Sequence, residues 1–446
     1  MLNVTLTRRQ FALAAALQAR RRPNVLFILC DQWRRQTMPG AGDKDLIAPH
    51  LARLTREGVE FTRAYVSNPV CTPSRAALQT GRYSHAVSMP WNNRLLPADT
   101  GCVAEAFAAA GYKTGYIGKW HLDGDGKPGF VPPGARRRGY QYWAGFNRGH
   151  LYFNSVYFRD EDKPIAMAGF EPDAQTDLAI DFLKQNQSSP FFLFVSFGPP
   201  HTPRRPPARH AATYKPGSFS LRENVPATYE AEARKGMAGY YGLCTALDEN
   251  VGRLLATLDS LRLRDDTIVV FTADHGDMLG SQGLEHKGVW FEESAGVPLL
   301  MRWPGRLAAG TRQDWLFNNV DMAPTLRGLC GLTALEEAQG EDRSALVLAG
   351  GTGTRPESVY VQGRLGTAGE WRMVIRGWDK LVVDRELKVT HLFNLAQDPY
   401  EKENLAGDRA TVRRQEELLA LMRRWIIKAG DRVPYPGRAP AEEQNE

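Results

Sequence analysis

The stretch NVLFILC, Asn24 to Cys30, runs without polar alternation and ends on the pair Asp31-Gln32. A strand that is apolar along its length is covered on both faces, as the strands of parallel sheets are. Comparable runs recur as TGYIG (114–118), FFLFVSF (191–197) and TIVVFTA (267–273). Between them lie VAEAFAAAGY, AQTDLAIDFLKQN and LDENVGRLLATLDSLRL, with apolar residues at helical spacing. Strands alternating with helices predict an α/β fold, a large and mostly parallel sheet flanked by helices.

Each of these strands runs into polar groups. Asp31-Gln32 follow the first, Lys119-Trp120-His121 the second, His201 the third and Asp274-His275 the fourth. Ligands of open parallel sheets bind beyond the carboxyl ends of the strands, so the four loops should converge. Alone, each residue reads as a helix cap or a surface acid. Paired after two separate strands, Asp31, Gln32, Asp274 and His275 offer two carboxylates, an amide oxygen and an imidazole. That set suits a hard divalent cation: calcium first, with manganese or magnesium as alternatives. With no thiolate or second histidine in it, zinc is less favoured. Lys119, His121, His201 and Lys287 would surround the cation with positive charge and proton carriers, an arrangement for an anionic substrate whose oxygens gain charge in the transition state. His85 and His286 are assigned structural roles.

The segment VCTPSRAALQTGR (70–82) places Cys71 where a helix begins, with Pro73 tolerated in the first turn and a hydroxyl available to cap. Free N–H groups and the positive end of the helix dipole favour an anion or an ionised side chain there. Cys71 is thus placed where a nucleophile would meet a sulfate or phosphate. The chain has five cysteines, at 30, 71, 102, 244 and 330, an odd number with no CxxC pair, which argues against a disulfide framework and a zinc knuckle.

With 446 residues, 43% hydrophobic and 24% charged, the chain can bury a large core. Its 56 basic residues against 50 acidic ones leave a net charge of +6, a thinly spread excess that mildly favours anionic partners. No basic stripe interleaved with aromatics points to nucleic acid. Residues 1–22 contain LTRRQFALAAALQA, paired arginines before a short apolar run and small residues. This is the pattern of a twin-arginine export signal, implying a periplasmic or secreted protein; read instead as a frayed helix, it would leave the protein cytoplasmic. The run is too short to span a bilayer.

Residues 23–355 are assigned to the catalytic domain and 356–446 to a smaller α+β domain, because SVYVQG, WRMVIRGWDKLVV and VTHLFNL alternate like antiparallel strands before a final helix. Residues 130–170 are rich in glycine, proline and aromatics, and either shape a binding site or form a packed surface loop. The tail from Val433 is expected to be loose.

CTPSRAALQTGR resembles the C-x-P-S-R motif of the formylglycine-dependent sulfatase family, and GYKTGYIGKWHL is similar to its second signature. DHGDMLGSQGLEHKGVWFEESAGVPLLMRWPG and HLFNLAQDPYEKENLA resemble further family segments, so the likeness spans roughly Pro23 to Leu405. The resemblance implies a sulfuric ester hydrolase acting on a sulfated carbohydrate or small sulfate ester. It further implies that a formylglycine-generating enzyme oxidises Cys71 to formylglycine, whose hydrate supplies the nucleophile beside the metal, and that Arg75 orients it. Asp274 would help activate the hydroxyl, and His201 or Lys287 would protonate the departing alcohol. His121 would take the proton that lets sulfate leave, while Lys119 and Lys287 neutralise the sulfuryl oxygens.

Three positions depart from the family pattern. Gln32 stands for a common second aspartate, His275 for a frequent asparagine, and Gln79 for an apolar residue. Asp-Gln with Asp-His is also the pattern of phosphonate monoester hydrolases of the same superfamily, so a phosphonate or phosphodiester substrate is the alternative. A non-catalytic binder of anionic glycans would require missing catalytic groups, whereas all are present.

Overall fold

The apolar run at Asn24 becomes the middle of the molecule. The computed structural model describes residues 22–333 and 337–440, so the leader assigned to residues 1–22 lies outside the described residues except for Arg22. Among the described residues the central sheet has eight strands. They are β1 (Asn24–Asp31), β2 (Val59–Phe61), β3 (Lys113–Lys119), β4 (Tyr142–Phe146), β5 (Phe191–Pro200), β6 (Thr267–Ala273), β7 (Leu299–Arg302) and β8 (Thr311–Gln313). Their spatial order is β8-β2-β7-β6-β1-β5-β3-β4, and only β7 runs against the rest. Every residue of β1 is buried, because parallel neighbours flank it and helices cover both faces.

The helices include α1 (Pro49–Glu57), α2 (Cys71–Thr80), α3 (Val103–Ala109), α4 (Glu171–Gln185), α5 (Glu230–Ser260) and, near the end of the chain, α6 (Val412–Ala429). Phe191 and Phe192 of β5 point to opposite faces, as successive strand residues must. Phe192 stacks on Phe107 of α3 at 4.4 Å, while Phe191 meets Phe182 of α4 edge-on at 6.1 Å. The two helices therefore lie on opposite sides, and α1 and α5 pack on the α4 side.

β9 (Ser358–Gly363), β10 (Trp371–Arg376), β11 (Asp379–Asp384) and β12 (Val389–Asn394) form an antiparallel meander. Its period-2 pattern serves two different neighbours. Val359, Val361, Met373 and Ile375 face Tyr65, Met278 and Phe291 of the larger body. Tyr360, Val374, Leu381 and Leu392 face Leu418, Leu421 and Met422 of α6. The α/β architecture with a C-terminal antiparallel sheet is as the sequence pattern predicts.

One local expectation needs correction, and an open alternative is narrowed. The tail expected to be loose is held as far as Ala439: the Tyr435 N–H donates to Glu370 Oε1 at 2.8 Å, the Ala439 N–H donates to Gly366 O at 3.1 Å, and Trp91 meets Tyr435 edge-on. Backbone donors with fixed acceptors, not composition, decide its order. The aromatic stretch 130–170 supplies edge strand β4 and turns Trp143, Tyr152, Phe158 and Phe170 inward, so most of it is packing.

Candidate active site

The four strand ends do converge. Asp31 closes β1, Lys119 closes β3, His201 follows β5 and Asp274 follows β6. The His201 N–H donates to Asp31 O and the Asp274 N–H to Cys30 O, both at 3.1 Å, so the loops are stitched together by their backbones. α2 begins at Cys71 and is buried throughout. The hydroxyls available for capping are used elsewhere. Thr72 Oγ1 donates to His121 O at 2.9 Å and Ser74 Oγ accepts from Asn319, while Asn92 Oδ1 receives the Thr72 N–H at 3.0 Å.

Asp31, Cys71, Asp274 and His275 bring one ligand atom each to within 4.8 Å of one another, all from buried side chains. Cys71 Sγ lies 3.1 Å from His275 Nε2 and 3.8 Å from Asp31 Oδ1. His275 Nδ1 lies 2.9 Å from Gly276 O, which fixes the proton on Nδ1 and turns the Nε2 lone pair to the cluster. Two carboxylate oxygens and an imidazole lone pair facing one point fit a divalent cation. Gln32, held at φ 69°, stands beside them; its Nε2 donates to Asp277 at 2.7 Å and its Oε1 accepts from Lys287 at 3.1 Å.

Arg75 and Lys119 neutralise the carboxylates. The Arg75 guanidinium donates to Asp274 at 2.8 Å and Asp31 at 3.2 Å, and also to Lys119 O and Ser196 Oγ, so all its reach is spent on positioning. Lys119 Nζ is 2.5 Å from Asp31 Oδ2. Burial would raise the Asp31 carboxyl, but Lys119, His201 and Arg75 hold it well below the usual range. Burial and Asp31 push the Cys71 thiol up; Lys119, Lys287 and His275 outweigh them and its pKa falls. Burial lowers His275, yet Asp274 and Cys71 raise it in net.

Three further histidines of the site are held below the usual imidazole range. Burial, assisted by Lys119 and Arg75, depresses His121; burial and Lys119 depress His150; burial and Lys287 depress His201. His121 Nε2 sits 3.1 Å from Asn93 Oδ1, so Nε2 carries the hydrogen and buried Nδ1 is left as a basic atom with no partner among the described residues. His201 Nδ1 meets Thr202 O at 2.7 Å, and Nε2 accepts from Lys287 Nζ at 2.9 Å. Lys287 thus holds the transferable proton of that pair.

His150, Asn93 and Asp277 escaped the sequence reading. His150 stacks on His201 at 3.7 Å and reaches within 3.4 Å of Lys119. It is the contribution of the 130–170 stretch to the site, and its only signal is a histidine in a glycine- and aromatic-rich connection. His85, read as structural, bridges Gln362 and Ala429 O. His286, also read as structural, is exposed on the lining of a cavity of about 330 Å³ that reaches His201 and Lys287.

A family model described as Sulfatase matches residues 23–332, and one described as N-sulphoglucosamine sulphohydrolase, C-terminal, matches residues 280–428. The chain is 34% identical to the ulvan-active sulfatase of Formosa agariphila, over 92% of this chain and 82% of that protein. The structure of the YidJ protein of Bacteroides fragilis superposes with a TM-score of 0.85 at 27% identity, covering 92% of this chain and 97% of that one. The phosphonate monoester hydrolase of Agrobacterium radiobacter shares the fold, with a TM-score of 0.74 at 22% identity over 90% of this chain and 96% of that one.

Proposed function

Because the chain belongs to the sulfatase family of the alkaline phosphatase superfamily and is a sulfatase, we propose that it releases sulfate from a sulfated carbohydrate, using Cys71 oxidised to formylglycine and a divalent cation. The observation that carries this reading is the position of Cys71, buried at the start of α2 among Asp31, Asp274 and His275 and ringed by Arg75, Lys119 and Lys287. Similarity to an ulvan-active sulfatase supports a glycan substrate.

Asp31, Gln32, Asp274 and His275, with the side chain at position 71, would hold the cation. In place, the cation supplies a Lewis acid and the formylglycine hydrate a hydroxyl that attacks sulfur. The other residues bind, orient and move protons. Arg75 keeps both carboxylates turned to the cluster. Lys119 and Lys287 take the sulfuryl oxygens, whose charge grows as the ester bond breaks. Lys287 supplies a proton to the departing alcohol through His201 Nε2, the atom it already faces. Depressed and neutral, His121 accepts at Nδ1 the proton released when the aldehyde re-forms and sulfate leaves. Residues 1–22 are proposed as the export leader.

The second reading, a phosphonate or phosphodiester hydrolase, rests on Gln32 and His275, which replace the residues common among sulfatases. One preparation tests both readings: the protein co-produced with a formylglycine-generating enzyme. The tryptic peptide bearing Cys71 should show the aldehyde mass, and 4-nitrophenyl sulfate should be turned over faster than phenyl phosphonate esters. An unmodified thiol in an active preparation would remove the formylglycine step, and faster phosphorus turnover would put the second reading first.

A further inference from the structure

The cavity over the site extends past the groups that handle the sulfate. From Val70, His201 and Lys287 it reaches Trp91 and Arg364, and among the described residues no acidic side chain lines it. Arg364 opens the connection between β9 and β10, and its φ is 52°, a left-handed conformation that residues with a β-carbon adopt uncommonly. Several hydrogen bonds hold it there. The Thr367 N–H and Oγ1 donate to Arg364 O at 3.1 and 2.7 Å, and the Gly366 N–H donates to Glu370 Oε2 at 2.8 Å. The tail closes the other side through Ala439.

Glu370 is the acid of this connection, and it is already engaged: Arg372 lies 2.9 Å from its Oε1, which also receives the Tyr435 N–H. Arg364 is only half-buried, and its guanidinium has no hydrogen bond or ion pair among the described residues. A cation kept on a braced loop, in a cavity whose described lining holds no acid, is open to a negative group from the ligand. Half-buried Trp91, in the same wall, offers a flat apolar surface to a sugar ring.

We propose that Arg364 forms a second anion-binding position, so that the substrate is a polyanionic oligosaccharide whose neighbouring unit bears a carboxylate or a second sulfate. The proposal rests on the sulfatase reading and narrows its substrate class. It assigns to the C-terminal meander, through its first hairpin connection, the selection of substrate.

The test compares three ligands: a monosulfated disaccharide with a uronic acid unit, its carboxyl methyl ester, and a disulfated disaccharide without a uronate. Their kcat/KM values are taken relative to that of 4-nitrophenyl sulfate. For wild-type enzyme at least one two-anion ligand should exceed the ester, and Arg364→Gln should lower that ratio about 10- to 100-fold, chiefly through KM, with partial recovery in Arg364→Lys. Loss of the advantage over the methyl ester identifies a carboxylate as the partner, and loss for the disulfated ligand identifies a sulfate. A ratio that stays within twofold in Arg364→Gln overturns the proposal. Calorimetric affinities of the same ligands give the ratio without turnover. Selective binding that depends on Arg364, with no sulfate released, would overturn the hydrolase reading and leave this position standing.

Discussion

Two of the buried charge clusters in this fold are built differently. At the junction of the meander with the larger body, Arg35 and Lys380 meet Glu292 and Glu401, a balanced set. Lys380 Nζ lies 3.1 Å from Glu292 and 2.7 Å from Glu401, Arg35 pairs with Glu292, and Glu401 also receives the Glu292 N–H at 2.7 Å. At the strand ends Arg75, Lys119 and Lys287 outnumber Asp31 and Asp274, and among the described residues His121 Nδ1 and His150 Nδ1 are buried without hydrogen-bond partners. Matched charge marks the cluster that joins parts of the molecule. Surplus positive charge and bare imidazole nitrogens mark the one proposed to receive a ligand, since an excess of one sign in a dry interior is costly unless something arrives to meet it.

That contrast can be broken by substitution. Cys71→Ser should reduce sulfate release about 10⁴-fold or more while the melting temperature stays within a few degrees, because the site does little to hold the fold together. A large drop in melting temperature would show that the two clusters share one role. Lys380→Met should do the reverse. It leaves Glu401 buried without its cation and should cost about 3–5 kcal/mol in denaturant unfolding. The folded fraction keeps its turnover, and adding Glu401→Gln recovers part of the stability. Unchanged unfolding in the single variant would contradict the view of this network as a structural joint.

A third buried charge sharpens the comparison with a smaller effect. Glu171, at the start of α4, has no ion pair among the described residues, and burial pushes its pKa up from 4.5 to about 8 against the distant charge of Lys119, so near neutral pH it holds its proton. Its folded value is the higher one. The stability it contributes is therefore complete below the unfolded pKa of 4.5 and is lost as pH rises toward about 8. Glu171→Gln should flatten the stability profile between those limits by on the order of 1–3 kcal/mol, read from urea unfolding at a series of pH values. Parallel profiles for the two proteins would mean that Glu171 is ionised in the folded state.

The sheet and the position of the site were legible in the sequence for one reason. Apolar runs such as NVLFILC and TIVVFTA have no polar face, which forces them into the covered middle of a sheet, and polar residues immediately after such runs must gather at one edge. Asp31, Lys119, His201 and Asp274 therefore declare themselves by where they stand along the chain. His150 and Arg364 carry no such mark. Each lies in a connection, and only the packing of distant segments sets the His150 ring on His201 and leaves the Arg364 guanidinium without an acid among the described residues. The difference between Glu292, ion-paired on two sides, and Glu171, with no ion pair among the described residues, was likewise decided in three dimensions. Charge and hydrogen bonding act over a few ångströms, and the chain brings its partners within that range only when it folds.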